Sequence, residues 1–474
     1  MSPNAHSSSS DKRPRGKEDI HACRQALRDA ICAKVRPVVE TAFRNALDSE
    51  VAGFLGRKKG LHRSKLQSSA SALHCANCGR CCTLDFVRKG YYQRTQLTLW
   101  GALDISVPRV ECVCGHCPFL PFVTLTPYDR IWSDLDELTV ALVACDMSLR
   151  LSAALVGLES GGTVSIGTLQ RRVGRVAALA NWTMKQKLPH SPPVVMLDAI
   201  WGTMMVETGE RKRDKRGRER RVKRGMTVPL LIAQSIEPES GETSLLAWVE
   251  GKAENLEDWT HLLTVLHERG VHAAAGLRLL VFDGCGALEA GLGVVDLGPV
   301  HRQRCIFHKL KNVLRDVSGD HGMTREQKKL RVRAVLDEAS AIYAAATEAE
   351  ARSRAAAFRT RWSVTEPKAV ATLERDVDAT LTYYAVQEEA EAQGHAWKVE
   401  HLRTTSPLEG MNRSLRAKWR QACAFWSQDG WVGALWVVAK QRERHDKTDR
   451  LAWLNDVMSA LLQPRQSQTN FPIP

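Results

Sequence analysis

Two short apolar runs in this chain each end in an aspartate. Residues 194–197 run directly into Asp198, and residues 279–282 run into Asp283. Short apolar runs rich in branched side chains and closed by a turn-forming residue are typical of buried β-strands. Because the end of a buried strand holds a carboxylate rigidly, the two runs predict an α/β fold whose sheet carries an acidic site.

The elements around these runs predict the connectivity of that sheet. Residues 226–234 and 242–249 have strand patterns, residues 256–268 have a helical pattern, and the second apolar run follows. Antiparallel strands, a helix and then a buried strand indicate an RNase H-like mixed sheet, in which the first and fourth strands are neighbours. Asp198 and Asp283 then come together, although each could instead cap a turn, since Asp283-Gly284 is a common turn dipeptide.

Glu409 supplies a third carboxylate. Ser406-Pro407-Leu408-Glu409 has the residues of a helix start, so Glu409 could merely close a capping box. Catalysis is favoured because the arginines at 413, 416 and 420 share its side of the following helix. Three converging carboxylates can bind Mg²⁺ or Mn²⁺ ions that clamp the attacking and leaving oxygens of a phosphodiester.

Charge and composition limit the class of partner that the chain can bind. The chain has 474 residues, a net charge of +14 and a pI of about 9.3, which indicate a polyanionic ligand. No apolar stretch reaches the roughly 18 residues of a spanning helix and the start has no signal-peptide pattern, so we expect a cytoplasmic protein with no membrane partner. Thirteen cysteines, an odd and clustered set, suit a reducing compartment.

Seven of these cysteines lie between positions 75 and 117. Two Cys-x-x-Cys pairs predict a structural Zn²⁺ site with four thiolate ligands, Cys75, Cys78, Cys114 and Cys117. Cys81, Cys82 and Cys112 are further candidates for this site. The alternative is a set of ordinary reduced thiols.

Two segments predict DNA contacts. A helix after Ser165 carries Arg171, Arg172 and Arg175, as the recognition helix of a helix-turn-helix would, although a plain helical hairpin fits equally. Residues 211–224 are basic at ten of fourteen positions, which favours phosphate contact over a merely solvated loop. The arginines predicted to contact DNA there are Arg211, Arg213, Arg216, Arg218, Arg220, Arg221 and Arg224.

The chain therefore divides into eight predicted segments. They are a disordered tail (1–17), a helical segment with a break or kink near Pro37 (18–70), a Cys-rich zinc-binding β module (71–130), a helical DNA-binding region (131–190), a first part of the catalytic core (191–316), a helical insertion (317–400), a second part of the core carrying Glu409 (401–445) and a C-terminal tail (446–474).

Several short motifs along this core resemble one known family. They are Leu197-Asp198-Ala199-Ile200, residues 259–270, Phe282-Asp283-Gly284, Gln303-Arg304-Cys305 with His308-Lys309 and Asn312, and Arg403-Thr404-Thr405 with Glu409 and Asn412-Arg413. In combination they resemble the mutator-type transposases of bacterial insertion sequences, from roughly Val51 to Arg444. Two features depart from the family pattern: the Cys75–Cys117 cluster, and Ser406 where Asn is usual.

The resemblance implies roles for these residues. Asp198, Asp283 and Glu409 match the catalytic Asp-Asp-Glu triad, on an RNase H-like core that a helical domain interrupts. Cys305 and His308 match a Cys-x-x-His signature, which from spacing alone we interpret as a packed thiol beside a phosphate-contacting histidine. Further DNA contacts are predicted for His308, Lys309, Asn412, Arg413 and Arg416.

The implied function is that of a DNA transposase. We expect such a protein to bind the terminal inverted repeats of an insertion sequence and to cleave and join double-stranded DNA at element ends and target. We also expect a homo-oligomer in the synaptic complex and association with the nucleoid when the protein is bound to DNA. Two alternatives stay open on sequence alone: a nuclease of the same fold without strand transfer, and a catalytically silent, transposase-derived DNA-binding regulator.

Overall fold

The structure, a computed structural model, describes residues 17–61, 75–79, 85–118, 120, 122–125, 129–144, 147–318, 322–422, 427–443 and 452–462. The chain divides into two compact units. The first comprises Met1–Thr139, Arg150–Ile166 and Pro464–Pro474, and the second comprises Val140–Leu149 and Gly167–Gln463. The predicted tail before residue 17 and the candidate ligands Cys81 and Cys82 lie outside the described residues.

The first unit is built on a long helix and a β-hairpin. Helix α1 (Lys17–Leu55) is one continuous helix with Pro37 inside it, so of the predicted break or kink near Pro37 the break does not occur. Strands β1 (Phe86–Thr98) and β2 (Gly101–Cys112) pair antiparallel, with Phe86 opposite Cys112 at the open end. Apolar residues of the second half of α1 pack on the hairpin, which a two-stranded sheet needs for stability. Helix α3 (Leu149–Ser160) belongs largely to this unit, and α2 (Asp134–Ala144) begins in it.

The second unit contains a mixed five-stranded sheet. Its strands are β3 (Val194–Arg213), β4 (Glu219–Ile236), β5 (Thr243–Glu250), β6 (Leu279–Phe282) and β7 (His301–Arg304). The strand order is β5-β4-β3-β6-β7, with β3, β4 and β5 antiparallel and β6 and β7 parallel to β3. The predicted adjacency of the first and fourth strands is confirmed, because β3 pairs directly with β6.

Helices cover both faces of this sheet. Alternation along β3 sends Val195 and Leu197 to one face, where they pack with α5 (Leu256–Glu268) and α6 (Gly286–Val294). Met196 and Ile200 face the other core, which contains buried residues of the remaining helices around the sheet. Those helices are α4 (Ile166–Met184), α7 (Ile306–Arg315), α14 (Ser406–Ala422), α15 (Gln428–Glu443) and α16 (Ala452–Leu462).

The described residues of the segment predicted as a helical insertion form helices joined by short turns and contain no strand. Its buried side chains join the core on the second face of the sheet. Its helices are α8 (Arg325–Tyr343), α9 (Glu348–Trp362), α10 (Pro367–Glu374), α11 (Val377–Leu381), α12 (Tyr383–Ala392) and α13 (Val399–Leu402).

The basic run is a β-ribbon, which corrects its interpretation as a loop. β3 and β4 continue past the sheet as a two-stranded extension, with Arg211 opposite Arg221. At its tip the Asp214 carboxylate accepts the backbone N–H groups of Arg216 and Arg218, closing a turn that has Gly217 at positive φ. Cross-strand ion pairs such as Arg221–Glu207 hold the two strands together.

The predicted C-terminal tail also contains regular structure. Within it, α16 buries Trp453, Leu454, Val457 and Met458 in the core of the second unit. Among the helices that the structure describes, none is long and apolar enough to span a membrane.

Candidate active site

Asp198 lies within the central strand of the sheet. It is 8% exposed and faces the same side as Met196 and Ile200. The parallel register pairs Met196 with Val281; Asp198 lies two residues further along β3, and Asp283 directly follows the end of β6 at Phe282. The sheet therefore aligns the first two acidic residues, as the sequence predicted.

Asp283 occupies the turn that follows β6. One of its carboxylate oxygens accepts the backbone N–H of Cys285 at 2.9 Å. Its charge contributes to the raised pKa of Asp198. The turn-capping alternative and the proximity to Asp198 are thus both true of this residue.

Glu409 reaches the sheet from the first turn of α14. Its carboxylate lies 3.0 Å from Nε2 of His308, which is on α7, and 3.9 Å from the guanidinium of Arg416. Ligand atoms of Asp198, His308 and Glu409 all lie within 4.8 Å of one another, a spacing that suits one metal ion. Asp283 is not part of this tighter group, and His308 takes a place that the sequence had not given it.

The ionisable side chains of this group shift one another's pKa values. Burial, and next the charge of Glu409, raise the pKa of Asp198 to about 7. Burial lowers the pKa of His308, but its interactions with Cys305 and Glu409 outweigh that effect and raise this pKa to about 10. The hydrogen bond from His308 lowers the pKa of Glu409. The site therefore holds the His308–Glu409 ion pair next to a carboxyl whose ionisation is disfavoured by burial.

The Cys-x-x-His segment connects the pieces of the site. Cys305 is buried, and its sulfur accepts hydrogen bonds from the backbone N–H and the hydroxyl of Thr405, at 3.3 and 3.2 Å. The Cys305 N–H in turn donates to the carbonyl of Phe282 at the end of β6. This matches the prediction of a packed thiol, which here joins β6 to the start of α14.

Asn412 holds Asp198 and does not face solvent. Its side chain is fully buried, and Nδ2 donates to Asp198 Oδ2 at 2.8 Å. The DNA contact predicted for Asn412 is contradicted by this burial, because a residue three positions after Glu409 lies on the face of α14 that meets the sheet. The signal was present in the helical spacing, which places Glu409 and Asn412 on one face.

Lys309 is a second correction. It is 2% exposed, and its ammonium group donates to the carbonyl of Arg375 in the helical insertion. Lys309 follows Cys305 by one helical turn, so both point inward. The predicted contact of Lys309 with DNA is therefore also contradicted.

The exposed arginines among those predicted to contact DNA lie on α14, on the ribbon and on α4. Arg413 and Arg416 are exposed on α14, and all seven arginines predicted on the ribbon are exposed. On α4, Arg171 and Arg175 are exposed, but Arg172 is 5% exposed and cannot lie on a DNA-reading face as predicted. The two compact units divide the predicted helix-turn-helix region, since α3 lies largely in the first and α4 almost wholly in the second.

The thiols of the first unit form a separate group. The sulfur atoms of Cys75, Cys78, Cys112 and Cys114 lie within 4.8 Å of one another. Cys117 is exposed and outside this group, and Cys112 takes the fourth position that the pair spacing had given to Cys117.

A mixed sheet with an acidic, histidine-containing group between its central strand and a covering helix defines an α/β protein with the donor set of a metal-binding site. A sequence model of the Mutator family of transposases matches residues 66–447, and the chain belongs to this family.

Individual relatives agree with the family. The transposase of insertion sequence ISRM5 from Rhizobium meliloti (strain 1021) is 25% identical over 81% of this chain and 81% of its own length. That of IS1201 from Lactobacillus helveticus is 23% identical over 71% of this chain and 80% of its own. Among solved structures, the Drosophila P element transposase strand transfer complex matches with a TM-score of 0.37 and 9% identity, covering 68% of this chain and 93% of that one, which is too distant to bear on function.

Proposed function

We propose that this chain is a transposase of the Asp-Asp-Glu type, which binds the terminal inverted repeats of an insertion sequence, cleaves DNA at its ends and joins them to target DNA. The observation that carries the proposal is the placement of three carboxylates that are distant in sequence. Asp198 is on β3, Asp283 directly follows β6, which pairs with β3, and a carboxylate oxygen of Glu409 lies within 4.8 Å of one of Asp198 from a separate helix.

The donor set fits a hard divalent cation. Carboxylate oxygens are the ligands that Mg²⁺ and Mn²⁺ prefer. Oδ1 of Asn412 is buried beside Asp198 and has no hydrogen-bond partner in the described part of the chain. The raised pKa of Asp198 supports the same assignment, because a carboxyl that resists ionisation next to Glu409 gains from a positive charge.

Asp198, Asp283 and Glu409 would hold the metal, and the other residues would keep them in position. When bound, divalent ions of this kind activate water or a 3′-hydroxyl and stabilise the leaving oxygen. The chain's own part is to orient Asp198 through Asn412, Asp283 through the N–H of Cys285, and Glu409 through His308. The exposed Arg413 and Arg416 extend from the same helix as Glu409 and would contact phosphates.

The ribbon supplies a second basic surface for DNA. Three of its arginines form ion pairs within the ribbon, namely Arg211, Arg220 and Arg221. Arg213, Arg216, Arg218 and Arg224 are exposed and, within the described residues, form no ion pair. We assign the phosphate contacts to these four, because their charge is not already compensated. Joining two element ends requires both to be held at once, so we also propose that a homo-oligomer forms on DNA.

The test is cleavage and strand transfer on DNA that carries the element's own ends, read from the sequences flanking its gene. With Mg²⁺ present, we expect cut and joined products from the wild type, none from Glu409→Gln, and wild-type levels from the exposed control Glu400→Gln. Cleavage without joined products would favour a nuclease. Binding without any cleavage would favour a silent regulator, and activity of Glu409→Gln would reject the proposed triad.

A further inference from the structure

The first unit carries a set of four thiols that the proposed chemistry does not use. Two of them, Cys75 and Cys78, lie in a short turn before β1. The N–H of Gly79 closes this turn by donating to the carbonyl of Cys75 at 2.9 Å. The other two come from the end of β2 and the turn after it, Cys112 and Cys114. In that turn the N–H of Gly115 donates to the carbonyl of Cys112 at 2.8 Å.

The sulfur atoms are spaced as ligands of one tetrahedral ion. Sγ of Cys75 lies 3.6 Å from Sγ of Cys114, and Sγ of Cys78 lies 3.7 Å from Sγ of Cys112. A disulfide would need about 2.05 Å. A tetrahedron with zinc–sulfur bonds of about 2.3 Å has edges of about 3.8 Å between its sulfurs, close to the distances found here.

A side-chain donor faces one of these sulfur atoms. The side-chain amide nitrogen of Asn77 lies 3.8 Å from Sγ of Cys114 and donates to it. Donors around the ligating atoms are typical of metal centres, because they stabilise the charged ligand and fix its orientation.

The surroundings indicate a closed, structural site. Cys75 and Cys112 are buried in a cluster with Val51 and Leu55 of α1 and Phe86 of β1. Four protein ligands leave a tetrahedral ion with no open position for a substrate. Cys117 is exposed and three residues beyond Cys114, so it is not needed to complete the set.

We propose that Cys75, Cys78, Cys112 and Cys114 bind one structural Zn²⁺ and that Cys117 is not a ligand. The ion closes the open end of the β1–β2 hairpin, where Phe86 pairs with Cys112, and fastens the turn at residues 75–79 to it. A two-stranded hairpin is marginal by itself, so this link and the packing of α1 together stabilise it. The inference does not depend on the proposed transposition chemistry.

The first test compares two single substitutions in the full-length chain purified without chelator. Zinc content measured by elemental analysis should be one ion per chain for the wild type and for Cys117→Ser, and well below one for Cys112→Ser. Replacing zinc by Co²⁺ should give the absorption of a tetrahedral thiolate site in the first two proteins only. Zinc retained in Cys112→Ser but lost in Cys117→Ser would overturn the ligand set.

A second test needs no variant, so a Cys112→Ser protein that fails to fold does not decide the question. Alkylation of the native wild type, read by mass spectrometry, should modify Cys117 rapidly and leave Cys75, Cys78, Cys112 and Cys114 unmodified until a chelator is added. Rapid alkylation of all five without chelator, together with no bound zinc, would show ordinary reduced thiols. Protection of Cys81 or Cys82 in place of one of the four would also overturn the assignment. Neither readout involves DNA or Mg²⁺, so each is separate from failure of the proposed function.

Discussion

Replacing Asp198 by Asn should stabilise the metal-free protein while abolishing its proposed chemistry. Asp198 is buried beside Glu409, and its pKa rises from an ordinary 3.8 to about 7. A carboxyl with a raised pKa in the folded state binds its proton more tightly there than in the unfolded chain. Its ionisation therefore costs stability, and the cost grows as pH rises from the unfolded value to the folded one.

The size of the effect follows from that difference. Each pKa unit corresponds to about 1.4 kcal/mol, so the full shift gives an upper value of about 4 kcal/mol at pH 8, and we expect 2–4 kcal/mol from the substitution. Asparagine keeps an oxygen that can accept the hydrogen bond from Asn412 and has no charge to desolvate. For a unit as large as the second one, about 2 °C per kcal/mol predicts a rise in Tm of about 4–8 °C.

Thermal unfolding in EDTA at pH 8, 5 and 4 is the assay. We expect the gain from Asp198→Asn to be largest at pH 8, smaller at pH 5 and nearly gone at pH 4. Asp283→Asn is the matched control, since this partly buried residue can still accept the N–H of Cys285 as asparagine. Added Mg²⁺ should raise the Tm of the wild type at pH 8 and not that of Asp198→Asn. An Asp198→Asn protein no more stable than the wild type at pH 8 would refute the reasoning.

Two further predictions concern residues that support the site, and a third concerns the ribbon. Asn412→Ala removes the donor to the buried Asp198 carboxylate, and such a charged hydrogen bond contributes about 1.5–3 kcal/mol. The Mg²⁺ concentration that gives half-maximal cleavage should therefore rise about tenfold or more, while the affinity for DNA ends stays unchanged. Unchanged Mg²⁺ dependence would contradict this. In Gly202→Ala the new methyl group would lie 2.1–2.5 Å from ring atoms of Trp419, so we expect a loss of about 1–3 kcal/mol in unfolding free energy and weaker cleavage. Gly174→Ala, whose methyl group would have nothing within 4 Å, should keep the wild-type stability and cleavage. A variant with alanine at Arg213, Arg216, Arg218 and Arg224 should bind DNA with a weaker salt dependence. The slope of log affinity against log salt should fall by up to about 0.9 per lost phosphate contact, and by more than in a variant with alanine at Arg211, Arg220 and Arg221. Equal slopes for the two variants would argue against the assignment.

Local patterns were enough to predict the centre of the fold. The apolar runs before Asp198 and Asp283 identified two buried strands, and their order with the helix between them predicted that they are neighbours. Burial of both faces leaves a clear signal in a short run of sequence. β7 left no comparable signal, because its four residues are His301-Arg302-Gln303-Arg304.

Several of the errors concern residues whose position depends on partners distant in the sequence. The run at 211–224 is charged on both strands, and only the pairing of Arg211 with Arg221 makes it a ribbon. Cys112 joins the thiol group because the hairpin register brings it to the open end beside the earlier turn, whereas the local Cys-x-x-Cys pattern indicated Cys117. Lys309 and Arg172 have the charge of surface residues but lie on inward helix faces.

The position of Glu409 depends on how α14 packs against the sheet, and the Cys-x-x-His segment helps to fix that packing. Asn412 bonds α14 to Asp198 on β3, and Trp419 of the same helix covers Gly202 further along that strand. At the start of α14, the hydroxyl of Thr405 donates a hydrogen bond to the sulfur of Cys305. His308, one helical turn after Cys305, forms an ion pair with Glu409. One short segment after β7 thus fixes both the beginning of the helix and the carboxylate that the helix delivers. The helical insertion separates the strands that carry Asp198 and Asp283 from the helix that carries Glu409. The Cys-x-x-His segment contacts both parts, and it can therefore keep them together in one site.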